Sequence, residues 1–233
     1  MNSNRTYSLL LLVVAVLLSV STAFTGAITW KKSLAGPCRA EERNVHVVAV
    51  RKENGGEAEV EDEVQALKRT ILDEAAGTSN GLKASPQQRN AITKAVNSLV
   101  ALNPTEDLTT SELATGTWRL IFTTTAGASG GKLGPFVGEV QQEVDIAAGL
   151  YINYVRVGPL TGELEATWEV VNKKQWKVVF KTIAFLLWGQ QLVKKDLGQA
   201  GLWTLTYLDN DIRILTARSL ERNTGNLYVL ARA

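Results

Sequence analysis

Few residues in this sequence are suited to acid–base, nucleophilic or metal chemistry. The single histidine is His46 and the single cysteine is Cys38, and both lie near the N-terminus. With its only histidine in a predicted tail, the chain does not fit a Ser-His-Asp hydrolase, and one cysteine can form neither an intrachain disulfide nor a cysteine-based metal site. No metal-ligand spacing is visible. We therefore expect no metal, no cofactor and no enzymatic activity.

Two other patterns resemble catalytic motifs but fit them poorly. Asp209 and Asp211 form a carboxylate pair of the kind that glycosidases use, yet Arg213 would keep both ionised and all three fall at a predicted turn. Residues 127–132 are glycine-rich like a phosphate-binding loop. However, Leu133 stands where that motif needs Ser or Thr, so a flexible loop is expected.

Aromatic side chains are the stronger signal, because apolar pockets with a few polar groups are the usual sites for small molecules. The candidate ligand-binding residues are Trp168, Phe180, Phe122, Trp176, Trp203 and Tyr207. Trp168 ranks first because it shares a strand face with Leu164 and Val170, and Phe180 is its expected cross-strand neighbour. The alternative is that these aromatics only fill a core.

These aromatics fall in predicted strands, since the hydrophobic period becomes two from Thr117 onward. The predicted strands lie near 118–124, 139–146, 150–157, 162–171, 175–183, 201–207, 211–217 and 226–232. Hairpin links between them favour an up-and-down antiparallel barrel, because closure removes exposed edges. Two connections, 126–138 and 184–200, break the pattern and are expected to lie over a barrel mouth.

Two helices are predicted before the strands. The first has Val64, Leu67, Ile71 and Leu72 on one face and ends near Gly77. The second begins at Ser85-Pro86, and its apolar stripe is Ile92, Val96, Leu99 and Leu102. Because neither helix can bury its stripe alone, both should pack against the barrel. The fold class expected is mainly β (α+β), with about eight antiparallel strands and an N-terminal helix pair.

The start of the chain has the composition of a targeting leader. Residues 1–23 contain a short apolar run after Arg5 and are predicted to be a signal peptide, with an uncleaved membrane anchor as the alternative. Residues 24–45 are basic and hydroxylated like a transit peptide, and 46–62 are expected to be an acidic, glycine-rich linker. With Phe24 first after the cut, this resembles the two-part leader of algae with complex plastids.

The net charge gives little support for a nucleic-acid partner. Residues 1–40 contain four basic and no acidic residues, so the rest of the chain carries 21 basic and 23 acidic residues. Phosphate binding needs a clustered positive surface, which this balance does not indicate.

Three blocks resemble the plastid lipid-associated protein (PAP)/fibrillin family, which is described as lipocalin-like. They are the G-x-W-R-L strand at 116–124, the T-Y-L-D-x-D-x-R segment at 206–214 and the G-N-L-Y-V-L strand at 225–230. With the helix pair, the resemblance covers 63–233. It implies non-enzymatic binding or sequestration of lipids, quinones or carotenoids in the plastid (chloroplast), at thylakoid membranes or plastoglobules.

The resemblance also implies roles for five motif residues. Gly116 and Trp118 belong to the first strand, and Trp118 is expected to plug the closed end of the barrel and to stack on Arg213 or Arg218. Asp209 should stabilise its turn by bonding the backbone, and Asp211 should hold Arg213. For these motif residues, a purely architectural role is favoured over direct contact with a ligand.

Two further functions remain as alternatives. A structural protein with a filled barrel would dock on the thylakoid membrane or on a photosynthetic complex through an exposed apolar patch. The residues predicted for that membrane or partner patch are Phe185, Leu186, Leu187 and Trp188. Lipid or an apolar small molecule and peripheral membrane contact are thus the expected partners. A lipid-modifying enzyme would be indicated only by an activity that Asp211→Asn abolishes.

Overall fold

The computed structural model describes residues 56–221 and 223–233. It divides into two units, Met1–Glu63 and Val64–Ala233. The predicted signal and transit segments and residues 46–55 of the predicted linker lie outside the described residues. The linker prediction is wrong for residues 56–62, which are helical. Acidic residues there lie in the first helical turn, where the helix dipole stabilises negative charge.

Two helices precede the strands, as expected. Helix α1 (Gly56–Ala75) is followed by Gly77 at φ +69°, and α2 spans Pro86–Ala101. Ser85 Oγ accepts a hydrogen bond from Gln88 N at 3.2 Å, and Gln88 Oε1 accepts one from Ser85 N at 3.0 Å. This reciprocal cap explains why α2 begins where the Ser-Pro pair predicted.

Eleven strands follow the helices in the described part of the chain. They are β1 (Gly116–Thr123), β2 (Lys132–Leu133), β3 (Phe136–Val137), β4 (Glu139–Asp145), β5 (Leu150–Val157), β6 (Leu160–Asn172), β7 (Gln175–Leu187), β8 (Gln190–Asp196), β9 (Ala200–Leu208), β10 (Ile212–Ser219) and β11 (Asn226–Arg232). All eight predicted strands are present. The short β2–β3 pair and β8 were not predicted.

The main sheet closes into an antiparallel barrel. Its strand order is β6-β5-β4-β1-β11-β10-β9-β7-β8, and an additional β6–β7 pairing joins the two sides into a ring of eight strands. β7 pairs with β9 through residues 175–179 and with β8 through residues 182–187, so β8 extends the sheet outside the ring. The predicted mainly-β fold with a helix pair is confirmed.

The segment 184–200 is a strand hairpin, not the loop that was predicted. β7 continues through Leu187, a turn follows, and β8 returns along it. Trp188 at φ +49° and Gly189 at φ +77° form that turn. Two consecutive residues with positive φ suit a tight hairpin. A tryptophan rarely adopts this conformation, so no turn was predicted here.

The segment 126–138 is held in place by the loop between the helices. It contains a short 3₁₀ turn and the β2–β3 pair. Asn80 Nδ2 donates hydrogen bonds to the carbonyl oxygens of Gly130 and Gly138, both at 3.0 Å. Tyr228 Oη also bonds Ser129 Oγ at 3.0 Å, so this segment is tied to β11 as well.

The barrel has one core inside the ring and another outside it. The outer core joins the helices to β1, β9, β10 and β11. Its buried members are Val64, Ile71, Ala75, Ile92, Ala95, Val96, Leu99, Phe122, Tyr207, Ile212, Ile214 and Val229. The predicted helix stripes therefore pack against the barrel, as expected.

One end of the ring is closed by residues 102–115. Thr105 Oγ1 donates to the Leu208 carbonyl at 2.6 Å, and Leu108 N donates to the Lys173 carbonyl at 3.0 Å. Leu108 is fully buried beneath this segment. This is termed the closed end, and the opposite end, where the β7–β8 turn emerges, is termed the mouth end.

The outer core predicts different outcomes for two adjacent residues of α1. Ile71 is fully buried, whereas Leu72 is 41% exposed. We expect Ile71→Ala to lower the free energy of unfolding by about 3 kcal/mol, and Leu72→Ala to lower it by about 0.5 kcal/mol. Urea denaturation of both variants measures this, and equal losses would contradict docking of α1 on the barrel.

Candidate functional site

The inner face of the barrel combines a polar row with an apolar wall. Paired residues of antiparallel strands point to the same face, and the register aligns Gln142 with Asn153, Asn153 with Leu164, and Leu164 with Ile183. This row runs across β4, β5, β6 and β7. Its first half is polar and its second half is apolar.

Two tryptophans and an arginine fill the closed end. The Arg213 guanidinium carbon lies 5.8 Å from the ring centre of Trp118 and 6.0 Å from that of Trp176. Trp118 Nε1 donates to the Ala114 carbonyl at 2.9 Å, and Trp176 Nε1 donates to the Thr109 carbonyl at 3.1 Å. All three side chains are fully buried, and the closing segment satisfies both indole N–H groups.

The polar side chains of β4 and β5 near Arg213 are neutral, whereas Arg232 on β11 is cationic. Arg213 Nη2 donates to Gln142 Oε1 at 3.2 Å. Tyr151 Oη donates to Asn153 Oδ1 at 3.2 Å, and the Tyr151 ring meets the Trp203 ring edge to face at 4.9 Å. Burial, together with the like charge of Arg232, lowers the pKa of Arg213 to about 10, so it stays protonated at neutral pH. Burial raises the pKa of Tyr151, which stays neutral.

Trp118 has a second cationic neighbour that the sequence did not indicate. Of the two arginines expected to stack on Trp118, Arg213 lies 5.8 Å from its ring centre, but the Arg232 guanidinium is closer, at 4.1 Å. Arg232 also donates hydrogen bonds to the carbonyls of Leu113 and Thr115. It therefore fastens the closing segment over the barrel while it covers Trp118.

Four of the six predicted ligand-binding aromatics share the inner face. Trp168 stacks on Trp176 with ring centres 4.6 Å apart, Trp203 pairs with Trp176, and Phe180 pairs with Ala166. Phe180 was expected to be the cross-strand neighbour of Trp168, but Trp168 pairs with Val178 and Phe180 lies diagonally from it, because a register shift precedes Ala166. Ligand contact at any of them stays a prediction.

Phe122 and Tyr207 do not line the inside of the barrel, so their predicted placement is corrected. Both belong to the outer core under the helices. A register shift separates Leu120 from Phe122, and another lies opposite Tyr207, between Ile214 and Leu215. An extra residue at a β-bulge turns the following side chains to the other face, which alternation alone could not indicate.

The apolar wall on β6 and β7 is only half-buried, unlike the closed end. Its members are Leu164, Trp168, Phe180 and Ile183. By contrast, Trp118, Leu205 and Leu215 on the opposite side of the ring are almost completely buried. These four side chains are therefore partly accessible to solvent, although Ala166 and Val178 between them are almost completely buried. Sequence reasoning missed Gln142 and Asn153, although both are polar residues at inward positions of alternating strands.

The acidic motif after β9 holds α1 against the barrel. Lys68 Nζ lies 2.6 Å from Asp209 Oδ2 and 2.8 Å from Asp211 Oδ2. Asp209 Oδ1 accepts from the backbone amides of Asp211 and Ile212, both at 2.8 Å, so its predicted turn role is confirmed. Asp211 was expected to hold Arg213. It pairs with Lys68 instead, because Arg213 points into the barrel.

The same motif keeps its carboxylate ionised. Burial raises the pKa of Asp209, but hydrogen bonds from Lys68, Tyr207 and two backbone amides outweigh it, so the pKa lies below its ordinary value. Burial lowers the pKa of Lys68, and the two carboxylates more than reverse that effect. The motif is therefore a structural ion-pair cluster, and a glycosidase-like acid–base pair is not indicated.

The sequence of this barrel and helix pair matches a known family model. Residues 65–231 match the model PAP_fibrillin. The chain belongs to the PAP/fibrillin family.

Two relatives of this fibrillin come from Arabidopsis thaliana. It is 27% identical over 169 residues to probable plastid-lipid-associated protein 5, chloroplastic, a match that covers 70% of this chain and 68% of that protein. It is 40% identical over 80 residues to probable plastid-lipid-associated protein 3, chloroplastic, covering 30% of this chain and 21% of that protein.

One solved structure shows a weak likeness to the fibrillin. A streptavidin-like protein from Bacteroides eggerthii aligns with a TM-score of 0.34 and 8% identity, over 51% of this chain and 80% of that chain. This likeness is too weak to bear on the fold.

The predicted membrane or partner patch of the fibrillin is only partly exposed. Phe185 is buried and faces Gly162 across β6, so it is removed from the patch. Leu186 and Leu187 are half-buried, and Trp188 is 70% exposed at the tip of the β7–β8 hairpin. Exposed apolar residues also occur elsewhere at the mouth end. They are Phe136, Val137, Leu192, Val193 and Leu220.

Two surface depressions are lined by other parts of the fold, and neither includes a residue of the apolar wall on β6 and β7. One of about 290 Å³ borders β1, β4 and β5 at the closed end. The other, of about 250 Å³, lies between α1 and the start of β10.

Among the described residues, neither helix combines the length and apolarity needed to cross a bilayer.

The Lys68 cluster predicts a pH-dependent loss of stability. We expect Lys68→Met to cost about 3 kcal/mol at pH 7, because it leaves the Asp209 carboxylate without its cation. In the unaltered protein the low pKa of Asp209 stabilises the fold above the ordinary carboxyl pKa, and this contribution is lost as pH falls through the folded-state pKa. The difference in free energy of unfolding between the unaltered protein and Lys68→Met should therefore shrink as the pH is lowered from 7 towards 3.

Urea denaturation of the unaltered protein and of Lys68→Met at pH 7 and pH 3 measures this pH-dependent loss of stability. Lys94→Met, at an exposed position on α2, is the matched control and should change the free energy of unfolding by less than about 0.5 kcal/mol. A Lys68→Met loss that equals the control, or that stays constant with pH, would contradict the ion-pair assignment.

Proposed function

We propose that this chain is a non-enzymatic, plastid lipid-associated protein that binds the apolar part of a lipid-like molecule inside its barrel. The observation that carries the proposal is the half-buried inner wall formed by Leu164, Trp168, Phe180 and Ile183. Family membership and the names of the two chloroplastic relatives support the lipid association. The ligand class is lipid, quinone or carotenoid.

The position of the inner wall limits how such a molecule binds. Trp118, Trp176 and Leu108 fill the closed end, so a ligand has to lie along β6 and β7 with its tail towards the mouth end. Trp168, stacked on Trp176, forms the inner limit of the wall. An apolar wall with a few fixed polar groups beside it is the usual composition of a small-molecule site.

The proposed location is the plastid, at the surface of thylakoid membranes or plastoglobules. The two chloroplastic relatives support the plastid. The predicted two-part leader, residues 1–45, indicates a complex plastid reached through the secretory pathway.

An uncharged fluorescent probe tests binding to the inner wall. We expect the methyl ester of cis-parinaric acid to bind the protein, and Trp168→Ala to weaken binding about tenfold through loss of buried aromatic surface. Direct excitation of the probe avoids any dependence on protein fluorescence. Trp188→Ala is the matched control, since it removes a tryptophan that lies outside the barrel, and it should bind normally. Failure of the unaltered, folded protein to bind would overturn the proposal.

A second candidate function is docking on a lipid surface through the β7–β8 hairpin. Trp188 is its most exposed apolar residue, and Lys194 and Lys195 follow on the exposed strand β8. Trp188 N donates to the Pro159 carbonyl at 2.9 Å, which fixes the tip against the β5–β6 turn. An exposed tryptophan at the tip of a hairpin whose second strand carries lysines suits the interface of an anionic membrane. Docking is compatible with a filled barrel.

Vesicle sedimentation separates docking from folding. We expect Trp188→Asn to lose binding to vesicles of phosphatidylglycerol and galactolipid while it keeps its melting temperature, because Asn-Gly is favoured in this turn type. Val171→Asn changes an exposed residue at the opposite end of the β6–β7 hairpin and should bind normally. Equal vesicle binding by the two variants would contradict docking through the hairpin tip.

A further inference from the structure

Arg213 is a fully buried cation with incomplete hydrogen bonding. Its Nε and Nη1 atoms have no hydrogen-bond partner among the described residues, and Nη2 bonds the neutral Gln142. The titratable groups that act on it are Tyr151, which is neutral, and Arg232, which is cationic. Three N–H groups of the guanidinium are therefore unused inside the barrel.

A buried charge of this kind is costly unless an anion accompanies it. Removing a guanidinium from water without an opposite charge costs several kcal/mol, and this cost is the reason buried charges are paired. The rings of Trp118 and Trp176, at 5.8 and 6.0 Å, offset only part of that cost. A role confined to packing would be served better by an apolar side chain of similar length.

The position of Arg213 relates it to the proposed ligand wall. Its hydrogen-bond partner Gln142 pairs with Asn153, which pairs with Leu164 of the wall. Tyr151 pairs with Ala166, the residue opposite Phe180. Arg213 also lies 6.0 Å from the ring centre of Trp176, on which Trp168 of the wall stacks. A ligand that lies along the wall therefore has its inner end, at Trp168, on the side of Arg213.

We propose that Arg213 binds the headgroup of an amphiphile with a single carboxylate, a long-chain carboxylic acid, whose chain lies along the β6–β7 wall. This inference rests on the proposed function and adds the ligand class. The carboxylate accepts hydrogen bonds from the unused N–H groups of Arg213. Gln142 and the Tyr151–Asn153 pair provide the remaining polar surroundings, and the ligand supplies the negative charge.

A comparison of cis-parinaric acid with its methyl ester tests the inference at pH 8. The unaltered protein should bind the acid about tenfold more tightly than the ester, through charge-assisted hydrogen bonds. Arg213→Met should bind both within about twofold of each other. Its ligand-free melting temperature should not fall, because the variant removes an uncompensated charge. Arg213→Lys, which keeps the charge, should keep part of the preference.

A second series needs no variant and so does not depend on how Arg213 variants fold. Octadecanoic acid, octadecanol and octadecylamine compete for the bound ester in the unaltered protein, and the expected order of affinity is acid, alcohol, amine. Equal affinities would overturn the role of Arg213 and leave the proposed function intact. Absence of ester binding would overturn both proposals. A lower melting temperature in Arg213→Met with an unchanged acid preference would show that Arg213 is structural.

Discussion

Pairing of β6 with β7 closes the ring, and the rest of the structure depends on that closure. A closed ring has an inside and an outside, and strand alternation assigns side chains to one or the other. The helix stripes cover the outer face of β1, β9, β10 and β11, and Lys68 fastens α1 there through Asp209 and Asp211. The inner face has no helix to cover it. Its side chains cover one another at the closed end and remain half-buried along β6 and β7.

The division into an inner and an outer face also explains why the charged side chain of Arg213 lies inside the barrel. Arg213 follows Ile212 in β10, so alternation turns Ile212 towards the helices and Arg213 into the ring. Once inside, it contacts two aromatic rings and the neutral amide of Gln142, and the like charge of Arg232 acts on it. The same inner face also carries the apolar wall on β6 and β7. The charge and the wall together fit an amphiphile better than a wholly apolar molecule.

Much of this architecture was predictable, because period-two alternation and the Ser85 cap are local signals. The features that were missed depend on tertiary structure. Register shifts near Leu120 and Ile214 moved Phe122 and Tyr207 to the outer core. The β7–β8 hairpin was missed because its turn begins with Trp188 at positive φ. Arg213 was predicted to pair with Asp211. Sequence spacing alone does not show that their side chains lie on opposite faces of the sheet.

The central claim is that the barrel holds one amphiphile per chain, and native mass spectrometry of the protein purified without detergent from its own cells tests it most directly. The account predicts a population heavier than the bare chain by the mass of one lipid-like molecule, which organic extraction then identifies as a carboxylic acid. A folded protein that has only the mass of its own chain would contradict the account and would leave the exposed hairpin as the remaining route to lipid association.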